Sequence, residues 1–398
     1  MLQIEKIDVD LLTSDPANVR SHDERNLEAI KGSLKRFGQQ KPIVVDSEGV
    51  VITGNGTLAA ARSLGWSQIE IIQTELVGPE KTAFAIADNR TAELAKWDVP
   101  ELSQTLQALR DEDPDLLNAA GFLDDEFSKI LDFGIKEDEH EGIADYEDEA
   151  ITKTGDIWQL GNHRIMCADN SDLGQVQKLM GSKTADLIMS DPPYGVDYLG
   201  SITKARKDIK GDAVTESEAY EDLIFKMLHV AHQVSNENRA LYLWFSDSQA
   251  VAICNALKNA GFKRYAWITW VKNNFNMSLN PQHYRQKHET CLYASTGIKM
   301  PKWYGPNNET TVWEYPKPSK NKLHPTMKPL EMYARCLMNS SKIGDVVYET
   351  NLGSGTTLIA AEQTDRSCYG LELSESYCDI IIERWQNATG KKAKRIKP

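Results

Sequence analysis

The sequence predicts an α/β fold, a large domain built on a mostly parallel sheet preceded by a smaller α+β domain and a helical segment. Three observations predict it. From about residue 153 onward, short apolar runs alternate with helical stretches, the pattern of a parallel sheet covered by helices. Two polar turns, Asp191-Pro192-Pro193-Tyr194 and Gly353-Ser354-Gly355, follow directly on such runs, where open sheets bind their ligands. A chain of 398 residues with 41 % hydrophobic side chains has material for two or three cores.

Taken in order, residues 1–75 alternate strands and helices. "SHDE" offers a capping box, Ser21 with Glu24, ahead of the helix "NLEAIKGSLKRF". "KPIVVD" reads as a strand and "GVVITGNG" as a strand and tight turn. "TLAAARSL" reads as a helix stopped by Gly65. Residues 76–133 are helical in pattern, with Pro79 and Pro100 at helix starts and Asp98 as an N-cap. Residues 134–152 are acidic and poor in core formers, which predicts a linker. The large domain spans 153–390. Its strands include "ADLIMS", "ALYLWF" and "YAWITWV", with helices over 218–234 and 248–260 between them. "VVYETNLGSGTTLIAAE", residues 346–362, reads as strand, glycine turn and helix. The basic tail 391–398 is expected to fray.

No apolar run approaches the roughly 20 residues of a membrane span. The charged start "MLQIEKIDVD" carries no signal peptide. Six cysteines without a C-x-x-C pair argue against zinc or disulfides, so no metal is expected and a reducing cytoplasm is. Charge divides the chain. The net is −13 overall, but −18 over residues 1–152 and +5 over the rest. Within 263–328, eleven basic residues face three acids and interleave with aromatics such as Trp267, Trp270, Tyr284 and Trp303. Phosphate backbones and unstacked bases call for that mixture.

The tetrapeptide Asp191-Pro192-Pro193-Tyr194 is the most informative motif. Two prolines give a stiff turn without N–H groups, so it offers only acceptors, carbonyls and a carboxylate. Its ligand must be a donor with two hydrogens, as the exocyclic amine of a nucleobase is. Acceptors on both N–H bonds draw that nitrogen toward tetrahedral geometry and free its lone pair. Tyr194 adds a flat face for the base. A base within a duplex has to be flipped out to reach such a turn. The glycine turn has Leu358 where a dinucleotide fingerprint has its third glycine, and no G-x-x-x-x-G-K-[ST] occurs. Nicotinamide and Walker-type nucleotide chemistry are therefore set aside.

With these motifs in view, residues 153–390 resemble adenine-N6 DNA methyltransferases of the β group, which depend on S-adenosylmethionine. "GNHRIMCADNSD", "ADLIMSDPPYG", "HYRQKHETCLYAS", "TTVWEYPKP", "HPTMKP", "NLGSGTT" and "CYGLELSESYCDIIIERW" fall in that group's order, with the catalytic motif ahead of the cofactor glycines. The resemblance implies a Rossmann-like methyltransferase domain. Asp191 and the Pro192 carbonyl would hold the target amine, with Pro193 stiffening the turn and Tyr194 stacking on the base. Gly353 and Gly355, with Ser354, Thr356 and Thr357, would face the methionine end of the cofactor. Glu349 and Asn351 precede them, Asn351 standing where the family has an aromatic. Glu372 would accept from the ribose hydroxyls, and Asp169 would face the cofactor's adenine. His324, Thr326 and Lys328 would line its methionine end, with Lys328 pairing the carboxylate there. Lys204, Arg206, Lys207 and Lys210 are expected in a loop that orders over double-stranded DNA. Gln282, His283, Arg285 and Lys287, within a recognition region at about 273–322, are expected to reach bases or phosphates.

Cytosine-C5 methylation is set aside because no Pro-Cys pair occurs. Cytosine-N4 methylation, and DNA binding with weakened methylation, remain open beside adenine-N6 methylation. Residues 1–75 resemble ParB/sulfiredoxin-like domains through "NVRSHDERNLEAIKGSLKRFGQQKPIVVD" and "VVITGNGTLAAARSLGW". Its acidity points toward a protein partner. The resemblances together imply a cytoplasmic protein of a bacterium or phage, in the setting of restriction and modification. They leave the oligomeric state open, a dimer included.

Overall fold

A computed structural model describes residues 3–16, 18–95, 97–135, 150–194, 217–273, 284–316 and 328–396. The chain divides into two compact units, 1–130 and 131–398.

The first unit carries β1 (Ile4–Asp8), β2 (Thr13–Ser14), α1 (Glu24–Phe37), β3 (Ile43–Val45), β4 (Val50–Thr53), α2 (Asn55–Ser63) and β5 (Gln68–Gln73). Four helices follow: α3 (Gly78–Leu94), α4 (Val99–Glu112), α5 (Asp115–Ala119) and α6 (Asp124–Gly134), the division of the chain falling inside α6. Its five-stranded mixed sheet has the order β1-β5-β3-β4-β2. Leu34 of α1 and Leu58 of α2 close a core over Ile43, Val51 and Ile69. The proline signals read from the sequence hold: Pro79 and Pro100 stand in the first turns of α3 and α4, and Asp98 caps α4 through Glu101 N. The cap of α1 is a correction. Asp23, not Ser21, accepts from Asn26 N. Glu24 is therefore the first helical residue, too early in the helix to reach back as the partner in a capping box.

The second unit begins with β6 (Ile157–Leu160), β7 (His163–Cys167), α7 (Leu173–Met180), β8 (Ala185–Ser190), α8 (Ser217–Gln233), β9 (Ser235–Phe245) and α9 (Ala250–Asn259). Then come β10 (Lys263–Val271), β11 (His288–Ser295), β12 (Val312–Glu314), α10 (Leu330–Ser340), β13 (Val346–Glu349), α11 (Thr356–Gln363), β14 (Ser367–Glu372), α12 (Glu375–Thr389) and β15 (Lys394–Ile396). Ten strands make one sheet in the order β12-β10-β11-β9-β8-β13-β14-β7-β6-β15. The central five, β9-β8-β13-β14-β7, are all parallel. Antiparallel pairs flank them on both sides.

Alternation along the strands separates two buried faces. Ile188, Leu241, Leu243 and Tyr348 share a core with α7, α8 and α9. Leu187, Met189, Tyr242 and Val347 alternate with them and are buried too. On that second face the Tyr242 hydroxyl meets Ser340 Oγ of α10 at 2.9 Å. The tail departs from expectation. Residues 394–396 pair with β6, Ile396 opposite Ile157, and Ile396 packs against the main core.

The topology accounts for the late glycine turn. β13 and β14, near the end of the chain, lie between β7 and β8. From β8 the chain crosses to β9 on one side; from β13 it crosses to β14 on the other. The boundary between β8 and β13 is thus a topological switch point, where a crevice opens at the carboxyl ends of the strands. The Asp191 turn and the glycine turn both leave their strands there.

Candidate active site

β8 is an apolar run, Leu187 to Met189 fully buried, that delivers Asp191 to the crevice. The carboxylate of Asp191 is held on both oxygens. Lys328 Nζ donates to Oδ2, and the Tyr194 hydroxyl lies 3.2 Å from Oδ1. The Tyr333 hydroxyl of α10 approaches Oδ2 at 3.5 Å. The Pro193 carbonyl accepts from the Tyr220 hydroxyl of α8 at 3.1 Å. Among the described residues no group donates to the Pro192 carbonyl.

Behind the turn lies a chain of buried charges. Lys328, 1 % exposed, is also 3.7 Å from Glu289 Oε2 on β11. Lys272, 3 % exposed and just past β10, donates to the other oxygen, Glu289 Oε1. The Tyr194 hydroxyl sits 3.3 Å from Glu289 Oε2, and it accepts from Lys328 at 3.1 Å. One tyrosine oxygen therefore touches both carboxylates and the lysine between them. Lys328 also lies 5.1 Å from the Trp244 ring centre and 5.5 Å from that of Tyr194. Burial alone pulls the Lys328 ammonium down, but Asp191 and Glu289 outweigh it and hold its pKa above the ordinary value. Burial likewise raises the Glu289 carboxyl, and the two lysines more than reverse this, so it lies below the usual range. Burial pushes the Tyr194 phenol well up, so it is neutral and available to donate.

The glycine turn is built by its neighbours. Gly353 and Gly355 have φ of +54° and +84°, the left-handed region that glycine enters without strain. A Cβ on Gly353 would meet nothing within 4 Å, so this backbone borders open space. A Cβ on Gly355 would come 3.1 Å from Ile381 of α12. The buried Arg384 guanidinium donates to the Ser354 carbonyl at 2.9 Å and pins the turn from below. Glu372, at the end of β14, accepts from Gly353 N and from Ser374 N, each at 2.9 Å, one on each oxygen. Each carboxylate oxygen keeps further acceptor capacity, which suits a vicinal diol. Burial raises its pKa, and those backbone donors oppose the rise. Asp169, exposed after β7, accepts from Ser171 N and Oγ at 2.8 Å.

The side chains of Ser354, Thr356 and Thr357 are buried. Thr357 Oγ1 donates to Glu349 at 2.6 Å, and Thr356 Oγ1 lies 3.4 Å from Arg384. Glu349 itself is 1 % exposed, and burial pushes its carboxyl up to about 8. Thr350 ties the two turns together: its N–H donates to Met189 O at 3.1 Å, and its hydroxyl meets Ser190 Oγ at 2.7 Å. Asn351 Oδ1 accepts from that same hydroxyl at 2.8 Å.

Asp191, Pro192, Pro193, Tyr194, Glu349, Asn351, Gly353–Thr357, Glu372 and Asp169 therefore gather at the ends of the adjacent strands β8, β13, β14 and β7. Lys328 joins them at Asp191. Arg285 and Lys287 are exposed on the approach to β11, beside the fully exposed Tyr284. Lys204, Arg206, Lys207, Lys210, Gln282, His283, His324 and Thr326 lie outside the described residues. Sequence reasoning missed Glu289, Lys272, Tyr333 and Asn170, whose side chain donates to Thr350 O at 3.0 Å. Glu289 stood within "HYRQKHETCLYAS", a quoted motif, but a single acid among bases carries no signal until β11 is placed beside β9. Among the described residues no cluster could hold a metal ion, and no helix is long and apolar enough to cross a membrane.

The Type II methyltransferase M2.DpnII of Streptococcus pneumoniae is 25 % identical over 242 residues, 56 % of this chain and 90 % of the relative. The crystal structure of the M1.HpyAVI–SAM complex is similar at 24 % identity and a TM-score of 0.42, covering 55 % of this chain and 98 % of that one. A C-terminally truncated ParB from Caulobacter crescentus, complexed with CTP-γ-S, is similar over 34 % of this chain and 81 % of its own, at 18 % identity and a TM-score of 0.31. The family model for N6/N4 DNA methylases matches residues 185–383, half of the chain and nearly all of the crevice just described, and the chain belongs to the DNA methylase family.

Proposed function

We propose that the protein methylates the N6 amine of an adenine flipped out of double-stranded DNA at a specific site. As a member of its family it is a DNA methyltransferase that uses S-adenosylmethionine. Bound in the crevice, that cofactor supplies an electrophilic methyl group on a sulfonium. The open face at Gly353, with Glu372 beside it, fits such a group: a Cβ at 353 would protrude into the space it needs. Glu372 would hold the ribose, and the backbone at Gly353–Gly355 would border the methionine end.

The observation that carries the adenine reading is the acceptor set at the end of β8. Asp191 and the Pro192 carbonyl supply two acceptors for the two N–H bonds of one amine. Tyr194, fixed by its hydroxyl, offers a face for the base. In-line placement of the amine against the methyl carbon then lowers the barrier without a protein nucleophile. Arg285 and Lys287 would meet phosphates or bases beside the crevice, and Lys204, Arg206, Lys207, Lys210, Gln282 and His283 would add to them. Likeness to a Type II relative supports a role within restriction and modification. A cytosine N4 amine presents the same pair of hydrogens; the matching motif of N4 enzymes usually begins with Ser, so the acid at position 191 favours adenine.

The test is methylation of chromosomal DNA with labelled S-adenosylmethionine, followed by digestion to nucleosides. N6-methyladenine is the expected product, and Asp191→Ala should lose about 10²–10³-fold in rate. Label in N4-methylcytosine would move the reading to the other amine; an Asp191→Ala variant as active as wild type would overturn it.

A further inference from the structure

Lys272 has no part in the reading above and Glu289 enters it only as a contact of Tyr194, yet Lys272 is buried and Glu289 half-buried against it. Two lysines of 1 % and 3 % exposure flank one carboxylate, and Lys328 is shared between that carboxylate and Asp191. Four formal charges cancel in this chain: Lys272, Glu289, Lys328 and Asp191. Burying such a set is costly unless every member is satisfied, and here every member is.

Resting on the methyltransferase reading, we propose that Glu289, held by Lys272, is a positioning residue for methyl transfer. It acts through two contacts. First, it places a second anion 3.7 Å from the Lys328 ammonium that donates to Asp191 Oδ2, which draws that ammonium toward itself and eases its hold on the oxygen the target amine needs. Second, the Tyr194 hydroxyl lies 3.3 Å from Glu289 Oε2 and 3.2 Å from Asp191 Oδ1, so its single proton has one carboxylate or the other to meet. The ring that stacks on the base is thereby locked in its plane before DNA arrives, a preorganised acceptor and platform rather than one assembled on binding. Glu289 is not the sink for the proton released from the methylated nitrogen. Its two lysines keep its carboxyl below the ordinary range, which makes it a fixed anion.

The competing explanation is that Glu289 merely neutralises Lys272. Two variants of the full chain separate the two. Glu289→Gln leaves Lys272 buried without its charge partner. The double variant Lys272→Met/Glu289→Gln removes both charges and relieves that burial. On the positioning account both variants lose about 10²-fold in kcat, as for a small misplacement of reacting groups. Their dissociation constants for S-adenosylmethionine, read by titration calorimetry, stay within twofold of wild type. Fluorescence of a 2-aminopurine placed at the target shows a less stacked base in both. The proposal is overturned if the double variant regains wild-type kcat and stacking, or if Glu289→Gln never loses them. If Glu289→Gln alone does not fold, the double variant decides by the same readouts. Wild type and Asp191→Ala run in parallel: product in the first and its loss in the second uphold the underlying reading, whichever way Glu289 turns.

Discussion

Glu349 shows what single residues carry here. Its carboxyl is buried behind the glycine turn and titrates near 8 against an ordinary 4.5. A raised pKa means the folded chain binds that proton more tightly than the unfolded one. Its stabilising contribution is full below about pH 4.5 and is lost as pH rises through 8. Glu349→Gln keeps one acceptor for Asn351 N and turns its NH2 to the Thr357 hydroxyl, which can accept, but it cannot ionise. We expect its melting temperature, without cofactor, to decline less than that of wild type between pH 5 and pH 8.5; parallel curves would refute this. Asn351 concerns the cofactor instead. Among the described residues its side chain meets only Thr350, which retains Ser190, so Asn351→Phe should keep the turn and add apolar contact worth ~1–3 kcal/mol. Tighter binding of S-adenosylmethionine in a titration is the expected result, and equal affinity refutes it. At this scale the sequence was readable where a motif is contiguous. Asp191-Pro192-Pro193-Tyr194 and the glycine turn both stand at the crevice. Glu289 and Lys272 were not readable, because 17 residues and a change of strand separate them and only the pairing of β10 with β11 brings them together.

Elements were legible in proportion to their local signals. α4, announced by Asp98 and Pro100, begins where its cap and proline say. α1 begins one cap later than its Ser-x-x-Glu suggested, because a second acid, Asp23, competes for the same N–H groups and stands nearer the first turn. β15 was illegible, since three residues among lysines have no periodicity of their own and become a strand only by pairing with β6. That pairing is testable. Truncation at residue 390 would remove the Ile396 contact with the core, the Arg395–Asp156 ion pair and the Lys391–Glu362 contact at 2.8 Å. The exposed ion pairs contribute little, so the loss rests mainly on strand and apolar contact. Scanning calorimetry should find the melting temperature lower by roughly 2–4 °C for each kcal/mol lost. An unchanged value would mean the tail adds no stability.

Across the whole molecule, fold class and sheet type followed from the alternation of apolar strands with helices, whereas strand order did not, because order depends on which crossovers turn left or right. The charge imbalance is a property of the whole chain as well. Residues 1–150 contain 32 acids and 14 bases, and a field of that sign opposes DNA at long range. A chain lacking them should bind duplex DNA more tightly by fluorescence anisotropy, with the difference shrinking as salt is raised. Equal affinity at low salt would show that the acidic segment does not act on DNA. The place of β13 and β14 has a further consequence, in time rather than in space. While the chain is being synthesised, β7, β8 and β9 emerge long before the two strands that must fill the gap between β7 and β8. Until residue 372 is available the parallel core has a vacancy at its centre and two unpaired edges facing it. The strands that fill it carry both the glycine turn and Glu372, and only the edge strand β15 comes later in the chain. A chain that ends before β13 therefore lacks the cofactor crevice altogether and leaves the facing edges of β7 and β8 open to pair with other strands.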